Sequence, residues 1–336
     1  MSLNKVNWPV RVLLIGAGGI SSVHIRGMRK HPDRLRCVGM VDISEENLGK
    51  RAEELGERVT TFTDWKKALA DLSGKVDAAV ICLPHHLHAP AIHDCARAGL
   101  HILCEKPLCL TLEEAEGIAQ VVAETGVTYM SAHNQLFLPA VREARKMLDQ
   151  GALGRVFYIR SQDCFQAHTD RARWGWRADS KTQGGGVLID TGYHPTYRLI
   201  HLANSRPVAV RGTMGRYRLP IDGEDTAAVQ VRFENGILGE VFASWAIPLP
   251  AGTHQIHVVG ESGQIFGSES TLFHLPSGAK EPARIPLEEV DYFAEQIAHF
   301  AMCLRDGIRP PHGVEEGTTV LRIILEAADS AAGWNS

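Results

Sequence analysis

From Val10 to Ala132, short apolar runs alternate with stretches whose apolar residues recur every three or four positions. Val12–Ile15, Cys37–Val41, Ala78–Leu83, Ile102–Cys104 and Val127–Met130 are apolar on both sides of a pleat, as strands buried on two faces require. The intervening segments have helical spacing, and this strand-then-helix rhythm predicts a parallel sheet covered by helices. Helix punctuation agrees. Thr111 and Glu114 form a Thr-x-x-Glu capping box, Gly126 follows the helix they begin, and Gly99 closes the one starting near His88.

After Pro139 the pattern changes. A helix is expected to about Gln150, then a strand at Val156–Arg160, a glycine-rich loop, a helix bearing Asp190, and a run of strands from Val208 to about Phe273. Ala227–Phe233 and Ile237–Phe242 are joined by Glu234-Asn235-Gly236, as in a hairpin, and Gln255–Val259 follows. Leu287–Leu304 and Val314–Ala332 show helical spacing. The expected fold class is therefore α/β: a doubly wound Rossmann domain over residues 1–132, then an α+β domain with a mixed or antiparallel sheet over 133–336. The final helix is expected to pack back on the first domain.

Composition narrows the function classes. With 336 residues, 44% of them hydrophobic, the chain can build two substantial cores. A formal net charge of -4 without a long basic run excludes a surface built for nucleic acid. The seven cysteines are scattered, odd in number and mostly within apolar runs, as expected of small buried hydrophobes in a reducing compartment. Val10–Ile15 is too short to cross a bilayer. A cytoplasmic protein without nucleic-acid or membrane partners is expected.

Two segments carry chemistry. Arg11-Val12-Leu13-Leu14-Ile15 feeds into Gly16-Ala17-Gly18-Gly19-Ile20-Ser21, a glycine turn between a strand and a helix. Gly16 permits the tight turn, Gly18 lets the backbone approach a pyrophosphate, and the helix N-terminus at Gly19 and Ile20 favours its charge. Ser21 stands where a third glycine would complete the fingerprint. Asp42, at the end of the second strand, suits both hydroxyls of a ribose and would repel a 2′-phosphate, so NAD is expected rather than NADP. The second segment, Gly184 to His194, sets Asp190 and His194 four residues apart after three glycines. On a helix such residues share one face, and bare backbone beside them would let a ligand lie close to two proton-handling groups.

Leu83-Pro84-His85-His86-Leu87-His88 and Cys104-Glu105-Lys106-Pro107 follow successive strands. In this order, with the glycine turn and Gly184–His194, they resemble the Gfo/Idh/MocA family of nicotinamide-dependent oxidoreductases over nearly the whole chain. The resemblance implies oxidation of a sugar or cyclitol hydroxyl, or the reverse reduction, and a homodimer or homotetramer formed through the open C-terminal sheet. It makes Lys106 the catalytic lysine and Asp190 with His194 the substrate-binding, proton-handling pair. Pro84 and His88 line the nicotinamide side, Glu105 holds the cofactor region, and a cis bond is implied at Lys106-Pro107. Hydride transfer needs a base near the oxygen and a cation for developing alkoxide charge, roles open to His194 and Lys106, with Asp190 orienting the imidazole or bonding a substrate hydroxyl.

His168, Arg173 and Trp176 are the further substrate-binding candidates, since an indole face suits the C–H face of a sugar ring and an arginine fork suits hydroxyls or a carboxylate. Trp174 and Trp176 serve equally well as anchors for their loop. His85, His86, His88 and Cys82 lack the spacing of a zinc site, so no metal is expected. Asn134-Gln135-Leu136-Phe137-Leu138-Pro139 departs from the family's Asn-Arg-Arg-Phe-x-Pro, which leaves the substrate open. Pro195, directly after His194, predicts a kink that re-aims the imidazole. Two rivals remain: a glycosidase or lyase that retains NAD and works through transient oxidation, and a non-catalytic NAD-binding interaction protein.

Overall fold

The computed structural model describes Val6 and residues 8–333. Contacts divide the chain into two units, one running to His133 and including Asp291–Thr318, the other Asn134–Val290 with the residues from Thr319 onward. The second domain expected over 133–336 is therefore interrupted, because Asp291–Thr318 clusters with the first unit.

In the first unit the elements run β1 (Val10–Ile15), α1 (Ser21–Lys30), β2 (Leu35–Val41), α2 (Glu45–Leu55), β3 (Thr60–Phe62), α3 (Trp65–Asp71), β4 (Ala78–Ile81), α4 (His88–Arg97), β5 (His101–Cys104), α5 (Leu112–Thr125) and β6 (Tyr129–Ser131). The strands pair in parallel in the order β3-β2-β1-β4-β5-β6. Every residue of β4 and β5 is buried, and apart from His101 at the start of β5 both are apolar throughout, which is why they read as apolar runs. The order reverses between β1 and β4, and ligands of such sheets bind beyond the strand ends at that point. The Thr111–Glu114 capping box is formed, and Gly126 ends α5 in the left-handed region. The short edge strand β3 was not anticipated, because Thr60 and Thr61 are polar and exposed.

The second unit contains α6 (Pro139–Asp149), β7 (Val156–Cys164), α7 (Ser180–Gln183), α8 (Tyr193–Ala203), β8 (Pro207–Gly215), β9 (Thr226–Phe233), β10 (Leu238–Ser244), β11 (Ile256–Gly260), β12 (Gly263–Ser268), β13 (Thr271–Pro276) and β14 (Ala283–Ile285). Its sheet is mixed, in the order β14-β13-β12-β11-β7-β10-β9-β8, with β7 parallel to β10 and the other pairs antiparallel. Burial alternates along β9 and β10, the mark of a sheet with one covered face. Two helices close the chain, α9 (Tyr292–Asp306) and α10 (Val314–Ala332). Among the described residues no helix is long and apolar enough to cross a membrane.

Two helix expectations need correcting. The helical reading of Leu287–Leu304 begins too early, because Asp291 caps α9: its carboxylate accepts from the Ala294 N–H at 3.2 Å. In addition, α8 starts only at Tyr193, so Asp190 lies in the preceding turn and does not share a helix with His194. Pro195 is then in the first turn of α8, where the N–H it lacks would have no partner within the helix, and the expected kink has no cause.

Asp291 also pairs with Arg26 at 2.9 Å and Lys30 at 2.7 Å on α1. Burial pushes its carboxyl up, but these cations and the cap outweigh that and hold the pKa at about 2. A depressed carboxyl contributes stability that is present above its ordinary pKa and is lost as the pH falls through about 2. Asp291→Asn keeps a capping side chain but loses both ion pairs, and is accordingly expected to destabilise the protein by about 1 kcal/mol at pH 7. In urea melts the difference from the parent protein should close toward pH 2; an equal difference at both pH values would contradict the assignment.

Candidate active site

The first unit's candidate residues gather where β1 gives way to α1. Gly16 has φ +98°, and a Cβ there would lie 2.3 Å from the Cys82 carbonyl oxygen, so only glycine fits between the ends of β1 and β4. Gly18 and Gly19 differ: a Cβ on either would meet nothing within 4 Å. That open backbone at the start of a helix without acidic first-turn residues fits a dinucleotide pyrophosphate. Ser21 is fully buried and its hydroxyl donates to the Gly18 carbonyl at 2.6 Å, so it replaces a glycine without crowding the helix. The Asp42 carboxylate accepts from Ala17 N at 2.7 Å and Ser44 N at 2.8 Å, which fixes it beside the glycine turn. Exposed Ile20 and half-buried Pro84 border the same strand ends.

Lys106 is half-buried just past β5, and the Lys106–Pro107 peptide is cis, as the resemblance implied. Glu105 is buried and bonds His24 of α1, Nε2 to Oε1 at 2.8 Å, while its other oxygen accepts from the Lys106 N–H at 3.3 Å. Burial disfavours the His24 imidazolium, but its acidic neighbours outweigh this and raise its pKa. The Glu105 carboxylate is the effective one, since burial pushes the Cys82 thiol up and keeps it protonated. His88 was expected to line the nicotinamide side. It has no exposure, and its ring nitrogens lie 2.7 Å from the Pro107 carbonyl and 2.9 Å from the Leu83 carbonyl; burial keeps the ring neutral, so its one N–H goes to the nearer carbonyl, that of Pro107.

The second unit positions the acid and the imidazole. Asp190, buried, accepts from Arg177 Nε at 2.9 Å, and the Arg177 guanidinium stacks 4.2 Å over the ring of Trp176. His194 Nδ1 is 2.7 Å from the Tyr197 hydroxyl, which donates to Asn134 Oδ1 at 3.2 Å and accepts from Gln135 N at 3.1 Å. The bond to Tyr197 engages Nδ1 and so fixes the orientation of the His194 imidazole. Sequence reading missed Tyr197 and Arg177, although i,i+3 spacing from His194 and adjacency to Trp176 marked them.

The glycine run has a different purpose from the one expected. A Cβ on Gly186 would lie 1.9 Å from the Glu224 carbonyl oxygen, so the bare backbone accommodates a neighbouring loop, not a ligand. Glu224 in turn accepts from Leu188 N at 2.9 Å and steadies the turn holding Asp190; burial pushes its carboxyl up. Trp174 is an anchor, packed 4.8 Å from Trp245, which donates to Thr191 at 2.7 Å. His168 packs against Trp174 with the rings tilted at 45°, Arg173 is exposed, and Trp176 is half-buried. Among the described residues no group of three or more His, Cys, Asp or Glu is placed to hold a metal ion.

Residues 10–133 match the model of the oxidoreductase family with an NAD-binding Rossmann fold, and residues 141–266 match the Gfo/Idh/MocA C-terminal domain. The chain belongs to the Gfo/Idh/MocA family. Among Gfo/Idh/MocA proteins it is 26% identical to the D-xylose 1-dehydrogenase [NADP(+)] of Haloarcula marismortui, covering 96% of this chain and 92% of that one. It is also 26% identical to the scyllo-inositol 2-dehydrogenase (NAD(+)) of Bacillus subtilis, over 96% and 94%. The fold is shared with an aldose-aldose oxidoreductase from Caulobacter crescentus, at a TM-score of 0.86, 23% identity and coverage of 97% and 98%. The first unit is thus the NAD-binding Rossmann fold of an oxidoreductase.

Proposed function

We propose that this oxidoreductase moves a hydride between NAD and a secondary hydroxyl or ketone of a sugar, sugar acid or cyclitol. The observation that carries this reading is the Tyr197–His194 bond, which orients an imidazole able to exchange a proton near neutral pH, in a family whose named relatives include sugar and inositol dehydrogenases. His194 takes the hydroxyl proton in oxidation and returns it in reduction. Lys106 stabilises charge on the reacting oxygen. Asp190, held in place by Arg177, accepts a hydrogen bond from a substrate hydroxyl. The bound nicotinamide supplies the hydride chemistry. Asp42 favours NAD, since a carboxylate anchored by two backbone N–H groups cannot swing away from a 2′-phosphate.

The test is a panel of sugars, sugar acids and cyclitols with NAD. Free NADH forming in step with oxidised product is the expected result; turnover without net NADH would favour a lyase or glycosidase that retains its cofactor, and no nicotinamide binding would end the reading.

We also propose a homodimer or homotetramer formed through the second sheet. The face opposite α8 carries a cluster of rings, Tyr158, His254, His257, Phe266 and Phe273, with Phe266 and Phe273 stacked at 5.7 Å. Phe266→Asp should lower the mass measured by light scattering to that of one chain. An unchanged oligomer would place the interface elsewhere.

A further inference from the structure

We propose that His24 and His88 are positioning residues that hold Lys106 by gripping the chain on either side of it. This rests on the catalytic reading of Lys106 given above and adds to it how the lysine is kept in place. The ladder of β5 ends at Cys104, and the last sheet-like bond is Glu105 N to Ile81 O at 2.9 Å. Lys106 therefore lies beyond the support of the sheet. Two buried imidazoles supply what the ladder does not. His24, on α1 and 1% exposed, holds the Glu105 carboxylate at 2.8 Å, and that carboxylate's second oxygen accepts from the Lys106 N–H. His88, at the start of α4, is kept neutral by burial and so has one N–H, which the shorter contact assigns to the Pro107 carbonyl at 2.7 Å, while its other ring nitrogen packs against the end of the neighbouring strand at Leu83. The residues before and after Lys106 are thus tied to different helices.

Packing alone does not account for these rings. A buried imidazole costs free energy unless its nitrogens are hydrogen-bonded, and an apolar side chain of similar volume would fill either space without that cost. What the histidines add is direction, because their bonds end on residues 105 and 107. The flanking peptide sets the reach of the Lys106 ammonium, and a misplacement of about 1 Å at a reacting centre costs roughly a hundredfold in rate. His24 also belongs to the helix that follows the glycine turn, so the lysine is referenced to the same element that receives the dinucleotide.

The experiment uses the full chain and three variants: the double variant His24→Leu/Glu105→Met, which leaves no buried charge unpaired; His88→Leu; and His24→Gln, which keeps a donor for Glu105. Turnover and NAD affinity are measured, and the lysines are reductively ¹³C-methylated so that the Lys106 signal, identified by its absence in Lys106→Arg, reports its surroundings without need of activity. The expected result is a shifted or broadened Lys106 signal and turnover lowered about a hundredfold in the double variant and in His88→Leu. NAD affinity should stay within about twofold, and both signal and turnover should recover substantially in His24→Gln. If a leucine variant does not fold, Glu105→Gln, which weakens the His24 bond, must shift the same signal. An unmoved signal with parental turnover overturns the proposal, and so does a fall in melting temperature and NAD binding with signal and turnover unchanged. Full turnover in Lys106→Ala, with the signal still displaced in the leucine variants, would instead refute the catalytic reading of Lys106 and leave the clamp standing.

Discussion

Lys106→Ala is expected to lower turnover by about two to three orders of magnitude, the usual loss when one group stabilising a developing oxyanion is removed. Affinity for NAD should change little, because the glycine turn and Asp42 lie on other strands and keep their backbone bonds. The expectation follows from where the side chain begins. Lys106 is half-buried past the carboxyl end of a strand that is itself wholly buried, in the zone where open parallel sheets bind ligands. There a partly desolvated ammonium acts on a forming alkoxide more strongly than it would in bulk water. Lys106→Arg keeps the charge but not the compact point geometry, and should recover only part of the rate. Turnover against whichever sugar or cyclitol the panel identifies, together with NAD titration by fluorescence, distinguishes the outcomes. Near-normal turnover in Lys106→Ala would remove the residue from the mechanism.

The parts of this protein legible in its sequence are those set by neighbours in the chain. β1, β4, β5 and β6 were readable because each is buried on both faces, β2 because its residues from Cys37 to Val41 are apolar and mostly buried, and the ends of α5 because Thr111, Glu114 and Gly126 satisfy helix ends locally. The hairpin through Asn235 and Gly236 was readable for the same reason, Gly236 having φ +87°. β3 was not, since its pairing with β2 does not depend on its own apolar character. The polar residues of the site were legible by type and spacing but not by partner. His24 meets Glu105 across 81 positions, and no local pattern announces that bond. Asp190 and His194 have helical spacing, yet a Glu224-braced turn holds the first while α8 holds the second. Arg177 and Tyr197, the partners that orient them, could be found only by asking which neighbours on each element were able to reach them.

Gly186→Ala is expected to destabilise the second unit by at least about 3 kcal/mol, a larger structural effect than any other single methyl group considered. The new carbon would lie 1.9 Å from the Glu224 carbonyl oxygen and 2.4 Å from its nitrogen, and both are backbone atoms that cannot turn aside like a side chain. The two loops cannot simply separate, because Val187 N donates to the Glu224 carbonyl at 2.7 Å and Leu188 N to its carboxylate at 2.9 Å. Relief would break those bonds in a buried setting, at about 1–3 kcal/mol for each group left unsatisfied. Gly223 is equally constrained, a Cβ there falling 2.3 Å from the Gly185 oxygen, so the contact is bare backbone on both sides. Gly18→Ala supplies the contrast. Its Cβ would enter open space, so folding should be unaffected while NAD affinity falls, because the methyl group occupies the place of approach to the pyrophosphate. Urea unfolding and NAD titration of the two variants side by side should therefore give opposite patterns. A parental unfolding midpoint for Gly186→Ala would mean that the glycines serve a ligand after all, and that the loop contact around Glu224 does not hold Asp190 in place.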